Sequence, residues 1–235
     1  MIHLLWCTLR PEQFKHNHKI WLDKSDNISE IKTYVAVNTN DDYEEIKDYL
    51  NTNDYIVNLD INRIGVCYPS YKLSSYLAEL NCSANDIVIF ASDDFLPPSS
   101  WDTYLYNKLE NKGDVGLMVR DGYQLPDSSN MLHPAITIPI MTYGCLSKLN
   151  HIIYSPAYTH MFSDCELYDN LRDMNMLYDD RLKDETVFEH LHYASGKRGV
   201  DIFDVSYSSK WESDETTWNV RKNMSVQERL ILKGV

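Results

Sequence analysis

The chain is short of several things, and each shortage narrows what it can be. Positive charge is scarce: 22 Lys and Arg stand against 35 Asp and Glu in 235 residues, a formal net charge of −13. Such a surface repels a phosphate backbone at long range, which argues against a general nucleic-acid binder. Cysteine is scarce and odd in number, and Cys7, Cys67, Cys82, Cys145 and Cys165 form no CxxC pair. That pattern points away from a disulfide framework or a zinc knuckle and towards a reducing, cytoplasmic setting. No run approaches the 18 or more apolar residues of a membrane span, and no basic segment leads into an apolar one at the start. No repeat, low-complexity tract or Pro/Ser linker breaks the chain, so one domain over residues 1–235 is expected.

What remains is an ordinary globular composition, 43% hydrophobic and 24% charged, enough for a sizeable core. The pattern along it alternates. Short apolar runs at 2–8, 33–38, 54–59 and 86–91 predict strands, and the helical spacings at 11–22, 43–50, 69–80 and 101–109 predict the helices between them. Ile87-Val88-Ile89-Phe90-Ala91 is apolar throughout, as suits a central strand covered on both faces. Further strands are predicted at 115–119 and 136–141, the latter near an edge or bulge because of Pro134 and Pro139. Helical spacing returns over 158–178, and residues 223–233 predict a short amphipathic helix. This order predicts an α/β layered fold with a mostly parallel central sheet flanked by helices.

Three clusters could carry chemistry. Ser92-Asp93-Asp94 follows the strongest strand, at the end where open α/β sheets place ligands. Carboxylates there suit hard divalent ions shared with substrate phosphates. His190-Leu191-His192 places two imidazoles on one side of an extended segment, a moderately specific metal-ligand signal. In His160-Met161-Phe162-Ser163-Asp164-Cys165-Glu166, Ser163 could cap a helix, and Asp164 in its first turn would be kept ionised by the helix dipole and able to act as a general base. The bland readings are a turn, a pair of satisfied histidines and a charge favouring a helix start. Tyr68, Tyr71, Trp101, Tyr123, Trp211 and Trp218 could stack on sugars but read mainly as core or amphipathic surface. The polar stretch 120–130 reads as an acceptor loop or a plain connection, and Lys197-Arg198 as a phosphate contact or a basic turn.

In this order the pieces resemble the GT-A glycosyltransferases, family 2-like, over most of the chain. The resemblance rests on Leu5-Trp6-Cys7-Thr8-Leu9-Arg10-Pro11-Glu12, Asn40-Asp41-Asp42, Ser92-Asp93-Asp94 with Pro97-Pro98 and Trp101-Asp102, Tyr158-Thr159-His160 leading to Ser163-Asp164-Cys165-Glu166-Leu167, and His190-Leu191-His192 with Gly196-Lys197. It implies a nucleotide-sugar-binding half over 1–110 and an acceptor-binding and catalytic half over 111–235. Thr8 and Arg10 would line the nucleotide pocket, Asp41 or Asp42 would meet base or ribose, and Asp93 would face the donor. Asp94, with His192 or else His190, would bind Mn²⁺ or Mg²⁺ in a DxD-type site, and Asp164 would be the catalytic base. Ser92 stands where a first acidic residue is common. The implied activity is sugar transfer from a nucleotide sugar, UDP-sugars favoured, to a hydroxyl on a glycan, lipid-linked sugar, protein or modified DNA base, with inversion. The alternatives are a metal-dependent phosphoesterase or nuclease using the same carboxylates and histidines, and a non-catalytic carbohydrate-binding module.

Overall fold

A computed structural model describes residues 1–60, 65–122, 134–182, 186–193, 196–200, 204–205 and 209–231. The first half alternates strand and helix: β1 (Ile2–Thr8), α1 (Pro11–Asp23), β2 (Ile31–Val37), α2 (Asn40–Ile46), β3 (Tyr55–Asn58), α3 (Cys67–Leu77), β4 (Ile87–Ala91), a short β5 (Phe95–Leu96) and α4 (Trp101–Leu109). The second half continues through β6 (Gly116–Met118), β7 (Ile140–Thr142), α5 (Tyr143–Lys148), α6 (Ser163–Asp173), β8 (Leu177–Asp179), β9 (Glu189–His190), α7 (Trp211–Arg221) and α8 (Val226–Arg229). Seven strands form one sheet in the order β3-β2-β1-β4-β7-β6-β8, and β5 pairs with β9 in a separate ribbon.

The sheet is mostly parallel, as expected. β1 lies between β2 and β4, parallel to both, with Ile2 opposite Ile31 and Ile87. β7 runs antiparallel to both its neighbours. Alternation of side chains along each strand divides the core into two layers. Leu4, Trp6, Val35, Ile87 and Ile89 pack with Phe14 and Trp21 of α1 and Trp101 and Leu105 of α4. Leu5, Tyr34, Val88 and Phe90 pack with Leu73 of α3, Leu146 of α5 and Leu171 of α6. β4 is buried at all five residues, and each such aliphatic side chain is worth roughly 1.5–3 kcal/mol relative to exposure.

Four expectations need correction. Residues 136–139 are not strand: β7 begins only at Ile140, because Pro134 and Pro139 remove ladder donors. The helix expected over 158–178 is confined to Ser163–Asp173, since Phe162 and Asn175 adopt left-handed backbone at φ 63° and 56°, and Tyr178 lies in β8. The tail helix is shorter than 223–233: α8 starts after Ser225, whose hydroxyl and Glu228 form a capping box, and residues 232–233 lie outside the described residues. The helix expected over 43–50 spans Asn40–Ile46 instead, with 40–42 as its first turn, because the Thr39 hydroxyl accepts the Asp42 N–H at its start. Trp101 is core and fully buried, Trp218 is buried and Trp211 is exposed. Tyr123 and the stretch 123–130 lie outside the described residues. No helix among the described residues is long and apolar enough to cross a membrane.

Candidate active site

From β1 the chain moves outward to β2 and β3, then returns to the other side of β1 as β4. The connections therefore leave β1 and β4 in opposite directions, and a crevice opens at the carboxyl ends of the two strands. A cavity of about 240 Å³ lies there. Thr8 and Arg10 from the end of β1, Asp93 and Asp94 from the end of β4, His160 to Asp164 from the start of α6, and His190 and His192 all line it. Seven of the nine residues singled out from the sequence thus meet in one place. Asp41 and Asp42 do not: they sit in the first turn of α2 and are not among the residues lining the cavity.

Asp93 faces into the protein. One carboxylate oxygen accepts the Trp6 indole N–H at 2.7 Å and the other accepts the Thr8 hydroxyl at 2.8 Å, with Arg10 3.9 Å away. The Asn17 side-chain amide donates to its carbonyl at 2.5 Å. Burial pushes its carboxyl up to about 7, against the pull of those two donors. A raised folded-state value means that the folded chain holds more protons than the unfolded one between the ordinary carboxylate range and about 7, so this group makes stability fall as pH rises through that window. Asp93→Asn should therefore gain melting temperature relative to wild type as pH is raised from 4 to 8. Equal pH dependence of the two proteins in thermal melts would show that Asp93 is ionised throughout.

Asp94 faces the cavity. Burial acts to raise its carboxyl, but the His190 imidazole, the Ser92 hydroxyl and the Arg198 guanidinium outweigh it and hold the group well below the usual carboxylate range. The Ser92 hydroxyl lies 2.5 Å from one oxygen. His190 Nε2 lies 3.4 Å and Arg198 Nη2 3.9 Å from the other. The ribbon sets this register: β5 and β9 pair Phe95 with His190, the Leu191 N–H donates to the Asp94 carbonyl at 2.7 Å, and the His190 ring stacks on Phe95 at 4.1 Å. His192 follows with its ring 5.0 Å from that of His190. Burial, and then His190, hold the His192 imidazole below its ordinary value, so it is neutral and ligand-competent at pH 7. Arg198 is itself clamped by Asp204 through two bonds of 2.6 and 2.7 Å.

Asp164 also lines the cavity, from the first turn of α6. Ser163 is not the cap; it is the first helical residue, and Phe162 precedes it in the N-cap position. The dipole does not dominate either. Burial raises the Asp164 carboxyl, and the Cys165 N–H, 2.9 Å away, opposes it only in part. The neighbouring Glu166 turns inward, accepting the Tyr158 hydroxyl at 2.8 Å and both arms of Arg221 at 2.7 Å. Glu166 therefore fastens α7 to α6. Glu166→Gln weakens one charge-assisted pair and should cost about 1.5–3 kcal/mol in urea unfolding, and a loss under 0.5 kcal/mol would show that the pair is dispensable.

α7 also fixes the segment before α6. The buried Asp214 carboxylate accepts the N–H groups of Thr159, His160 and Met161 at 2.8–2.9 Å. This capture is why no helix forms there. His160 is pushed down to about 4 by burial and so presents a neutral ring to the cavity. Sequence reasoning missed Asp214 and the Arg198–Asp204 pair, since an acidic residue in Trp211-Glu212-Ser213-Asp214-Glu215 gives no sign that it points inward.

A parallel β-α half, a switch-point cavity with tandem carboxylates, and a second half carrying the ribbon histidines define the GT-A fold. Among the solved structures that share it are the mannosyltransferase PcManGT from Pyrobaculum calidifontis in complex with GDP-Man and Mn²⁺, 10% identical over 95% of this chain and 65% of that chain with a TM-score of 0.61, and S. aureus TarS 1–349 in complex with UDP, 15% identical over 76% of this chain and 57% of that chain with a TM-score of 0.56. The chain spans less than two thirds of the length of either. No family model and no curated protein matches the sequence.

Proposed function

We propose that the chain is a metal-dependent glycosyltransferase that moves a sugar from a nucleotide sugar, a UDP-sugar in the first instance, to an acceptor hydroxyl with inversion. The observation that carries this reading is the convergence of Asp94, His190, His192 and Asp164 on one switch-point cavity. The shared fold supports it, since the TarS structure holds UDP and the PcManGT structure holds GDP-Man with Mn²⁺.

Carboxylate and imidazole are donor types that a divalent ion such as Mn²⁺ takes, and here the Asp94 carboxylate has an imidazole nitrogen 3.4 Å away and a second imidazole ring 5.0 Å from the first. Asp94, His190 and His192 would hold the ion. Asp93, whose two oxygens are engaged by Trp6 and Thr8, would instead shape the nucleotide pocket. A divalent ion bound there supplies charge stabilisation for the departing diphosphate. Arg10 and Arg198 add fixed positive charge to the cavity lining, and the neutral His160 ring offers a hydrogen bond to a sugar or acceptor hydroxyl. Asp164 accepts the acceptor's proton as the new glycosidic bond forms. Its raised pKa makes the carboxylate a stronger base than a solvent-exposed one. A single base acting in one displacement gives inversion, the outcome that the resemblance to family 2-like enzymes implies. In this reading residues 1–110 serve the donor, and 111–235 supply the base and the acceptor surface. The acceptor hydroxyl belongs to a glycan, a protein or a modified DNA base.

A thermal-shift panel of UDP, GDP, CDP and TDP, each with and without Mn²⁺, tests the reading. One nucleotide at 100 times its dissociation constant should stabilise by about 2.7 kcal/mol, and only with the metal present. Absence of a metal-dependent shift with all four would overturn it.

A further inference from the structure

Away from the cavity, the described residues bring together one group of three metal-ligating side chains whose ligand atoms all lie close to one another. His3 is the second residue of β1, Asp86 immediately precedes β4, and Cys82 lies in the turn after α3. β1 and β4 are neighbours, with Ile2 opposite Ile87, so parallel pairing brings His3 and Asp86 together at the amino end of the sheet. We propose that His3, Cys82 and Asp86 form a second, structural metal site that takes a borderline-soft divalent ion such as Zn²⁺.

The ligand atoms lie within 4.8 Å of one another. His3 Nε2 and Asp86 Oδ2 are 3.3 Å apart, which is the separation of two ligands bound at about 2.0 Å in a tetrahedral arrangement. That edge is already at its final length, and the Cys82 sulfur lies within 4.8 Å of both ligand atoms, so a small rotation completes a three-ligand face. The His3 ring is oriented from behind: it is buried, and its Nδ1 sits 3.0 Å from the hydroxyl of the fully buried Tyr34. Fixing one ring nitrogen so that the other meets the ion is how protein metal sites set their histidines. Asp86 is held by the Met1 amino group at 3.1 Å on one oxygen and by the Ser83 N–H at 2.9 Å on the other, leaving a lone pair on the oxygen that faces His3. The Cys82 thiol donates to the Leu77 carbonyl at 3.9 Å, a long bond that is readily exchanged for a metal. Thiolate and carboxylate together would neutralise a divalent ion.

The site is independent of the glycosyltransferase reading. His3 and Thr8 stand five residues apart on one strand, about 16 Å at 3.3 Å per residue, so an ion here touches neither donor nor base. Its effect is to tie the turn 82–86 to β1 and to anchor the start of the strand whose other end carries Asp93 and Asp94.

The test is to strip the full chain with EDTA and titrate it with Co²⁺, in wild type and in an Asp94→Asn/His192→Ala background. In both, thiolate-to-cobalt charge-transfer absorption should appear and be displaced by Zn²⁺, and in the double variant, which lacks the cavity ligands, it should saturate at one equivalent. Cys82→Ser should remove it, and Asp86→Asn should weaken Zn²⁺ binding about tenfold or more. As a check that needs no variant, Zn²⁺ should protect Cys82 of the wild-type protein from alkylation, read by peptide mass. A cobalt complex without the thiolate band, a band that persists in Cys82→Ser, or unprotected alkylation would each reduce the cluster to a hydrogen-bonded pair with a neighbouring thiol and overturn the proposal.

Discussion

Asp164→Asn should transfer sugar about 10²- to 10⁴-fold more slowly than wild type, the usual contribution of a positioned proton acceptor, while binding the metal–nucleotide complex as tightly as before. Donor affinity should survive because Asp164, at the start of α6, is not among the residues proposed to hold the metal, and asparagine keeps an oxygen for the Cys165 N–H 2.9 Å away. The variant should also lose the acidic limb of the pH profile of kcat/KM. In the wild type that limb lies above the ordinary carboxylate range, because burial raises the Asp164 carboxyl. Glu166→Gln is the matched comparison: it touches the α6–α7 fastening and should alter stability rather than turnover. Wild-type turnover in Asp164→Asn would move the base to another residue.

Asp94→Asn should abolish the effect of Mn²⁺ on nucleotide affinity and slow transfer by about 10³-fold or more, since a bound divalent ion contributes several kcal/mol of charge stabilisation to a departing phosphate. The ionised form of Asp94 is maintained by His190, Ser92 and Arg198, and the amide provides neither the charge nor the second acceptor. His190→Ala should follow it in direction, because His190 Nε2 is the imidazole nitrogen 3.4 Å from the Asp94 oxygen. Isothermal titration of nucleotide with and without Mn²⁺ measures both. An undiminished Mn²⁺ effect in Asp94→Asn would remove the metal from this corner of the cavity, whatever the activity.

Much of the amino-terminal half was legible because its signals are local. Apolar runs such as Ile87–Ala91 mark buried strands, and Pro11 at the start of α1 marks a helix entrance, so the β-α order followed directly. The carboxylates after β4 and the histidine pair were readable for the same reason: chemistry-bearing residues stood at predictable ends of predictable elements. What escaped depends on contacts remote in sequence. The three-residue β8 and two-residue β9 are too short to carry a period, and β9 exists because β5 pairs with it. The end of helical pattern before Ser163 is imposed by Asp214, more than fifty residues on. The inward turn of Asp93 reflects the Trp6 and Thr8 donors on β1, which no reading of Asp93-Asp94 alone could supply.

Asp214 also bears on how the protein comes into being. The turn that presents His160 and leads into Asp164 is closed by a side chain synthesised 53 to 55 residues later, and Phe162 meets Trp211, 4.8 Å away between ring centres, from the same late helix. The parallel β-α half can collapse while the chain is still growing, since β1, β2 and β4 are complete by residue 91. The part of the cavity lining that α6 supplies, Asp164 included, has no such head start. A nascent chain would therefore complete the β1 and β4 ends that carry Thr8, Arg10, Asp93 and Asp94 well before the residues from α6 and the β9 ribbon that close the cavity around them.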